Sequence, residues 1–149
     1  MNFDRIKYIR ESNELTQSET AKKLNVTRSA YSLWEINKNV IPLTILNDFC
    51  NIFNVSMDYV VNNSNTKNYK LEKNILDKKE IGSKLRLIRK EMNLTQEKLA
   101  NIFNTTHSAI SAYENGATLI PTIFLIEFSK LSNVSMNWFC GKTNERNIL

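Results

Sequence analysis

Leu15-Thr16-Gln17 returns unchanged as Leu94-Thr95-Gln96, and the sequence around it returns as well. Displacing the chain by 79 residues, the step from Leu15 to Leu94, sets Phe3–Ser64 against Gly82–Thr143 without a gap. About twenty of some sixty aligned positions are identical. They include Arg10 with Arg89, Glu35 with Glu114, Ile41-Pro42 with Ile120-Pro121, and Asn54-Val55-Ser56-Met57 with Asn133-Val134-Ser135-Met136. A period this long, present twice, is the size of a small domain and too large for a solenoid unit. The chain is one small domain written twice. The expected division is residues 1–64 for the first copy, 65–77 for a linker, 78–143 for the second copy and 144–149 for a tail.

Gly and Pro are scarce, and the apolar residues recur at helical rather than alternating spacing, so the fold class is all-α. Asp77 and Glu80 read as a capping box opening a helix over roughly 78–92, matched by one over roughly 3–13. Thr16 with Glu19 forms a second such box; in the second copy Lys98 stands where the glutamate would be. That second helix ends near Leu24 and Phe103, and after a tight turn Thr27 and Thr106 cap a third. Ala30, Tyr31 and Trp34, with Ala109, Ile110 and Tyr113, form the inner face of the third helix. Asn37 and Gly116 suit the left-handed position that ends it. Pro42 and Pro121 open a fourth helix, and Ser56 and Ser135 cap a short fifth. Between the copies, Tyr69, Leu71, Ile75 and Leu76 offer apolar contacts within a polar linker. About twelve linker residues reach at most about 40 Å.

Composition sets limits on function. No apolar run approaches the length of a membrane span, and the first residues lack the layout of a signal peptide, so the expectation is a soluble, cytoplasmic protein. Cys50 and Cys140 occupy non-equivalent places in the repeat and read as reduced, partly buried thiols. His107 is the one histidine and has no metal-ligand spacing around it, so neither metal nor cofactor is expected. There is no paired-carboxylate pocket, phosphate loop or nucleophile beside a base, and an enzyme is not expected. The net charge of +5 suits a polyanion, yet residues 1–64 carry seven basic and seven acidic side chains. Charge alone therefore identifies no partner.

The motif does more. Arg-x4-Leu-Thr-Gln-x3-Ala, then Thr-x-Ser-Ala-x-Ser-x-x-Glu, Ile-Pro and Asn-Val-Ser-Met resembles the phage-repressor, Cro and Xre type of helix-turn-helix, in both copies. The resemblance implies two tandem five-helix domains of the lambda-repressor kind, joined by a short linker. It also implies double-stranded DNA as partner, with the third helix of each copy in the major groove. The base-reading candidates are Arg28, Ser29, Ser32 and Leu33 in the first copy, and His107, Ser108, Ser111 and Ala112 in the second. Gln17 and Gln96 open the second helix, where the matching glutamine of the family holds a phosphate. Thr27 and Thr106 are caps first and phosphate ligands in addition; Lys38 and Asn115 follow the third helix as backbone contacts. Arg10 with Glu35, and Arg89 with Glu114, recur together and are expected to pair across the domain.

Arg28 can donate two hydrogen bonds to guanine, whereas His107 and its small neighbours offer shape contacts, so the copies should read different half-sites. The expected function is a sequence-specific transcription regulator, a repressor, with a second copy or another protein as a further partner. The alternative is an antitoxin-like or regulator-binding protein that keeps the fold with one or both DNA faces repurposed.

Overall fold

The computed structural model describes residues 2–149, and every regular element among them is a helix. The first copy holds α1 (Asp4–Ser12), α2 (Gln17–Lys23), α3 (Arg28–Glu35), α4 (Leu43–Phe53) and α5 (Met57–Val60). The second holds α6 (Lys78–Glu91), α7 (Gln96–Ile102), α8 (His107–Glu114), α9 (Thr122–Ser132) and α10 (Met136–Phe139). An isolated bridge between Val134 and Asn147 is the sole β-type pairing among the described residues.

Seven of these helices start where a short polar side chain satisfies free N–H groups of the first turn, while α1, α4 and α9 follow Phe3, Pro42 and Pro121 with no side-chain cap. Thr16, Thr27 and Ser56 accept from Glu19, Ala30 and Tyr59; Thr95, Thr106 and Ser135 accept from Lys98, Ala109 and Asn137. The Thr16–Glu19 box closes in both directions. Asp77 caps α6 by accepting from Lys79 and Glu80, but the Glu80 carboxylate does not reach back; it pairs with Lys84 at 3.2 Å. A lysine one turn on offers that carboxylate a charged partner in place of a backbone N–H.

The helices also stop by a repeated device. Each copy takes the left-handed backbone conformation at five equivalent positions: residues 14, 25, 37, 54 and 62, then 93, 104, 116, 133 and 141. Asn or Gly fills nine of these ten places, the residues for which that conformation costs least. Glu14, at φ 56°, is the exception.

Between those stops both copies contribute side chains to one continuous core. Ile6, Ile9, Tyr31, Leu46 and Phe49 come from the first; Leu85, Ile88, Ile110, Leu125 and Phe128 come from the second. Each leucine, isoleucine or phenylalanine among them contributes about 1.5–3 kcal/mol on burial. In the second copy α6 lies against the end of α8 so closely that a Cβ on Gly82 would stand 2.5 Å from the Tyr113 and Glu114 carbonyl oxygens.

Residues 61–77 form no helix and do not hang free. Ser56 N–H donates to the Lys67 carbonyl, and Glu72 N–H to the Lys142 carbonyl. Asn47 and Asn51 both donate to the Asn74 carbonyl, whose own side chain donates to the Cys140 carbonyl at 2.8 Å. Leu76 packs on the core, while Ile75 stays 93% exposed. The connection is therefore laid along both copies, and its extended reach does not set their separation. Cys50 and Cys140 are free and buried, and burial pushes both thiols up to about 12.

Candidate nucleic-acid interface

Two short helices at a tight turn build the candidate site in each copy. In the first, α2 ends at Lys23, the chain turns through left-handed Asn25, and Thr27 restarts it as α3. Ala21, Tyr31 and Trp34 are buried between these helices, so the opposite side of α3 is left outside. Arg28 and Ser29 are exposed there, and Ser32 and Leu33 are half-buried. The second copy exposes His107 and Ser108 and half-buries Ser111 and Ala112 at the equivalent places.

Not every candidate is free to the same degree. Ser32 turns its hydroxyl back to the Ser29 carbonyl at 2.9 Å. Thr27 and Thr106 accept from Ala30 and Ala109 at 3.1 Å, which leaves each hydroxyl proton to donate outward. Asn115 accepts from Ala117 at 2.9 Å and so shapes the turn after α8, while Lys38 is exposed after α3.

Behind this face sits a charged clamp. Arg10 Nε lies 2.7 Å from Glu35 Oε2 and its Nη2 lies 3.0 Å from Oε1, the parallel two-bond geometry that suits guanidinium and carboxylate. Arg89 and Glu114 repeat it at 2.6 and 2.9 Å. The remaining guanidinium donors go to the Leu15 and Leu94 carbonyls, at the turn before α2 and α7. Burial works to raise the Glu35 carboxyl, but hydrogen bonds from Arg10 and Gln17 hold it below the ordinary value.

Gln17 and Gln96 join the clamp. Each donates its amide to the glutamate, at 3.0 Å to Glu35 and 3.1 Å to Glu114. A side-chain amide has two N–H donors, so one is anchored inward and the other is available at the N-terminus of its helix. Residue type and position indicated where these glutamines stand; the bond that aims them joins residues 18 apart and has no local signature. Arg86 is a further residue that sequence reasoning missed. It lines one open groove with Gln96, Ser111 and Asn115, one turn before Arg89 on α6. The helical spacing of Arg86 and Arg89 was the available signal.

A family model described as helix-turn-helix matches residues 6–60 and again residues 85–139. The chain belongs to the helix-turn-helix family. Both matches span the clamp, the turn and the exposed face of the third helix, so family membership covers the site twice. The chain is also 34% identical over 61 residues to an uncharacterized HTH-type transcriptional regulator, YqaE, of Bacillus subtilis (strain 168). That stretch is 41% of this chain and 53% of the relative, so the chain spans about half the length of the curated relative it matches. No helix among the described residues is long and apolar enough to cross a membrane.

Proposed function

We propose that this protein binds double-stranded DNA sequence-specifically through both helix-turn-helix copies and regulates transcription, as a repressor. The observation that carries the reading is the duplicated clamp. In each copy an Arg–Glu pair with a buried carboxylate holds the helix-two glutamine beside an exposed polar face on helix three.

A fixed amide at a helix N-terminus is suited to a phosphate oxygen, and phosphate contacts set the register in which base contacts can be made. With Gln17 and Gln96 in that role, and Thr27, Thr106, Lys38 and Arg86 beside them, α3 and α8 lie in the major groove. Arg28 then reads guanine by two parallel bonds, Ser29, Ser108 and His107 take single bonds, and Ala112 and Leu33 meet thymine methyl groups. The likeness to a transcriptional regulator of Bacillus subtilis supports the same role.

The test is selection of bound sites from a random duplex pool at a fixed salt concentration. The proposal predicts a recovered consensus with two separate blocks of preferred bases. Recovery of no consensus, with capture of a protein partner through α3 or α8, would favour a repurposed face.

A further inference from the structure

The contacts between the two copies obey a rule that a mere tether would not impose. Asn137 Oδ1 accepts from Met57 N–H at 3.0 Å, and Asp58 Oδ1 accepts from Met136 N–H at 2.9 Å. Met57 and Met136 are repeat equivalents, and so are Asp58 and Asn137; exchanging the copies turns one bond into the other. The same exchange relates Asn137 Nδ2 donating to Ser56 Oγ (2.8 Å) and Ser135 Oγ donating to Asp58 Oδ2 (2.6 Å). It also relates Asn63, which reaches Ser129 on α9, to Lys142, which reaches α4. Reciprocal contacts of this kind define a twofold axis; a head-to-tail arrangement has none. The axis passes through the contact of Asn137 Nδ2 with Asp58 Oδ2, at 3.2 Å.

The symmetry is broken only in chemistry, and at the places where it matters. Asp58 is 1% exposed and Asn137 is fully buried. Were two first copies paired this way, Asp58 would meet Asp58, two buried carboxylates at hydrogen-bond distance, which cannot both ionise without heavy cost. Lys142 is 2% exposed and donates to Asn47 Oδ1 at 2.7 Å and to Asn51 Oδ1. Were two second copies paired, Lys142 would meet Ile126 and Lys130, the equivalents of those asparagines, and its buried ammonium would exchange two amide acceptors for the Ser129 hydroxyl beside a second ammonium.

We propose that Asp58 with Asn137, and Lys142 with Asn47 and Asn51, encode exclusive pairing of a first copy with a second. A single chain is thereby a complete pseudo-twofold reader for two inverted, unlike half-sites. The inverted half-sites rest on the DNA reading above; the pairing rule does not. The docked segment 61–77, bonded to both copies, favours pairing within one chain over exchange between chains.

The test uses the full chain and three variants, Asn137→Asp, Asp58→Asn and the exchange Asp58→Asn/Asn137→Asp. Asn137→Asp sets two carboxylates on the axis; the exchange reverses which copy carries the charge and leaves the Tyr69 hydroxyl to donate to it. Small-angle scattering and thermal melting are expected to show Asn137→Asp opened and less stable, with the exchange returning most of the way to the parent. Failure of the exchange to recover, with Asn137→Asp still helical and compact, would overturn the pairing rule.

Binding is then measured on duplexes carrying both selected half-sites, inverted or direct, over a range of spacings. Inverted duplexes are expected to bind at least about tenfold better than direct ones. Asn137→Asp should lose about 10²-fold or more on the inverted duplex, as linked binding becomes independent binding. Equal binding of direct and inverted duplexes would overturn the inverted half-sites and leave DNA binding standing. No binding to any duplex would remove the DNA reading and the half-sites with it, while scattering still decides the pairing rule.

Discussion

Gln17 donates its side-chain amide to Glu35 at 3.0 Å, on the same carboxylate that Arg10 grips with two bonds. One glutamate thus ties the helix that opens at Gln17 to the end of α3 and to α1. Its side chain is 2% exposed, so its worth depends on keeping its donors. Glu35→Ala leaves the Arg10 guanidinium with the Leu15 carbonyl and the exposed Glu11 carboxylate at 3.7 Å. Removing one partner of a buried pair costs about 3–5 kcal/mol, a large part of what a small domain possesses. The first copy is expected to melt well below the second, seen as two transitions by calorimetry where the parent shows closer ones. An unchanged melt would mean the clamp contributes little.

Gln17→Ala tests the outer end of the same bond. Arg10 still neutralises Glu35, so the expected stability cost is only about 1 kcal/mol. Affinity should fall for all DNA sequences alike and the salt slope should become shallower, because a phosphate contact is lost and not a base contact. Arg28→Ala should instead relax base preference in one half-site, at about 1–3 kcal/mol there. Equal losses on every sequence would place Arg28 on the phosphates.

The clamp also predicts a pH response. Glu35 is held below the ordinary carboxylate value, so its contribution is complete above about pH 4.3 and is lost as pH falls through the folded value. Asp58 carries the opposite sign: burial raises it, and its contribution is lost as pH rises through the folded value. Glu35→Gln should lower the melting temperature at pH 7 and flatten its fall between about pH 5 and pH 3. Melting curves of parent and variant across that range decide it; parallel curves would contradict the assignment.

Glu14 occupies a left-handed position where the second copy has Asn93. An L side chain other than Asn or Gly pays roughly 1–2 kcal/mol there. Glu14→Asn should therefore raise stability by up to about 1 kcal/mol, measured by denaturant titration, with no change in DNA affinity.

The sequence showed the parts that are local. Threonine and serine caps, asparagine and glycine stops, and the apolar spacing of Ile6, Ile9, Tyr31 and Trp34 act within one turn of the chain, so each leaves a short pattern. The gapless repeat offered most such readings twice. The candidate site was legible as residue types on the outer face of α3 and α8 and at the start of α2 and α7. What aims them was not, since Gln17 and Glu35 meet only after folding. The seam was hidden for a stronger reason. Asp58 with Asn137 looks like one ordinary difference among some forty between the copies, and Lys142 with Asn47 joins residues 95 apart. Only the folded chain shows that the first of these meets at a twofold axis and the second lies across the same seam. The linker was judged by its reach, whereas backbone groups at Lys67, Glu72 and Asn74 fasten it in place.

Simultaneous engagement of DNA by both copies is read out by a hydroxyl-radical footprint of the intact chain on a selected site at fixed salt. Protection is expected in two blocks on one face of the duplex, with Gln17→Ala weakening one block first and Gln96→Ala the other. A single protected block, lost through one of these variants and indifferent to the other, would contradict it.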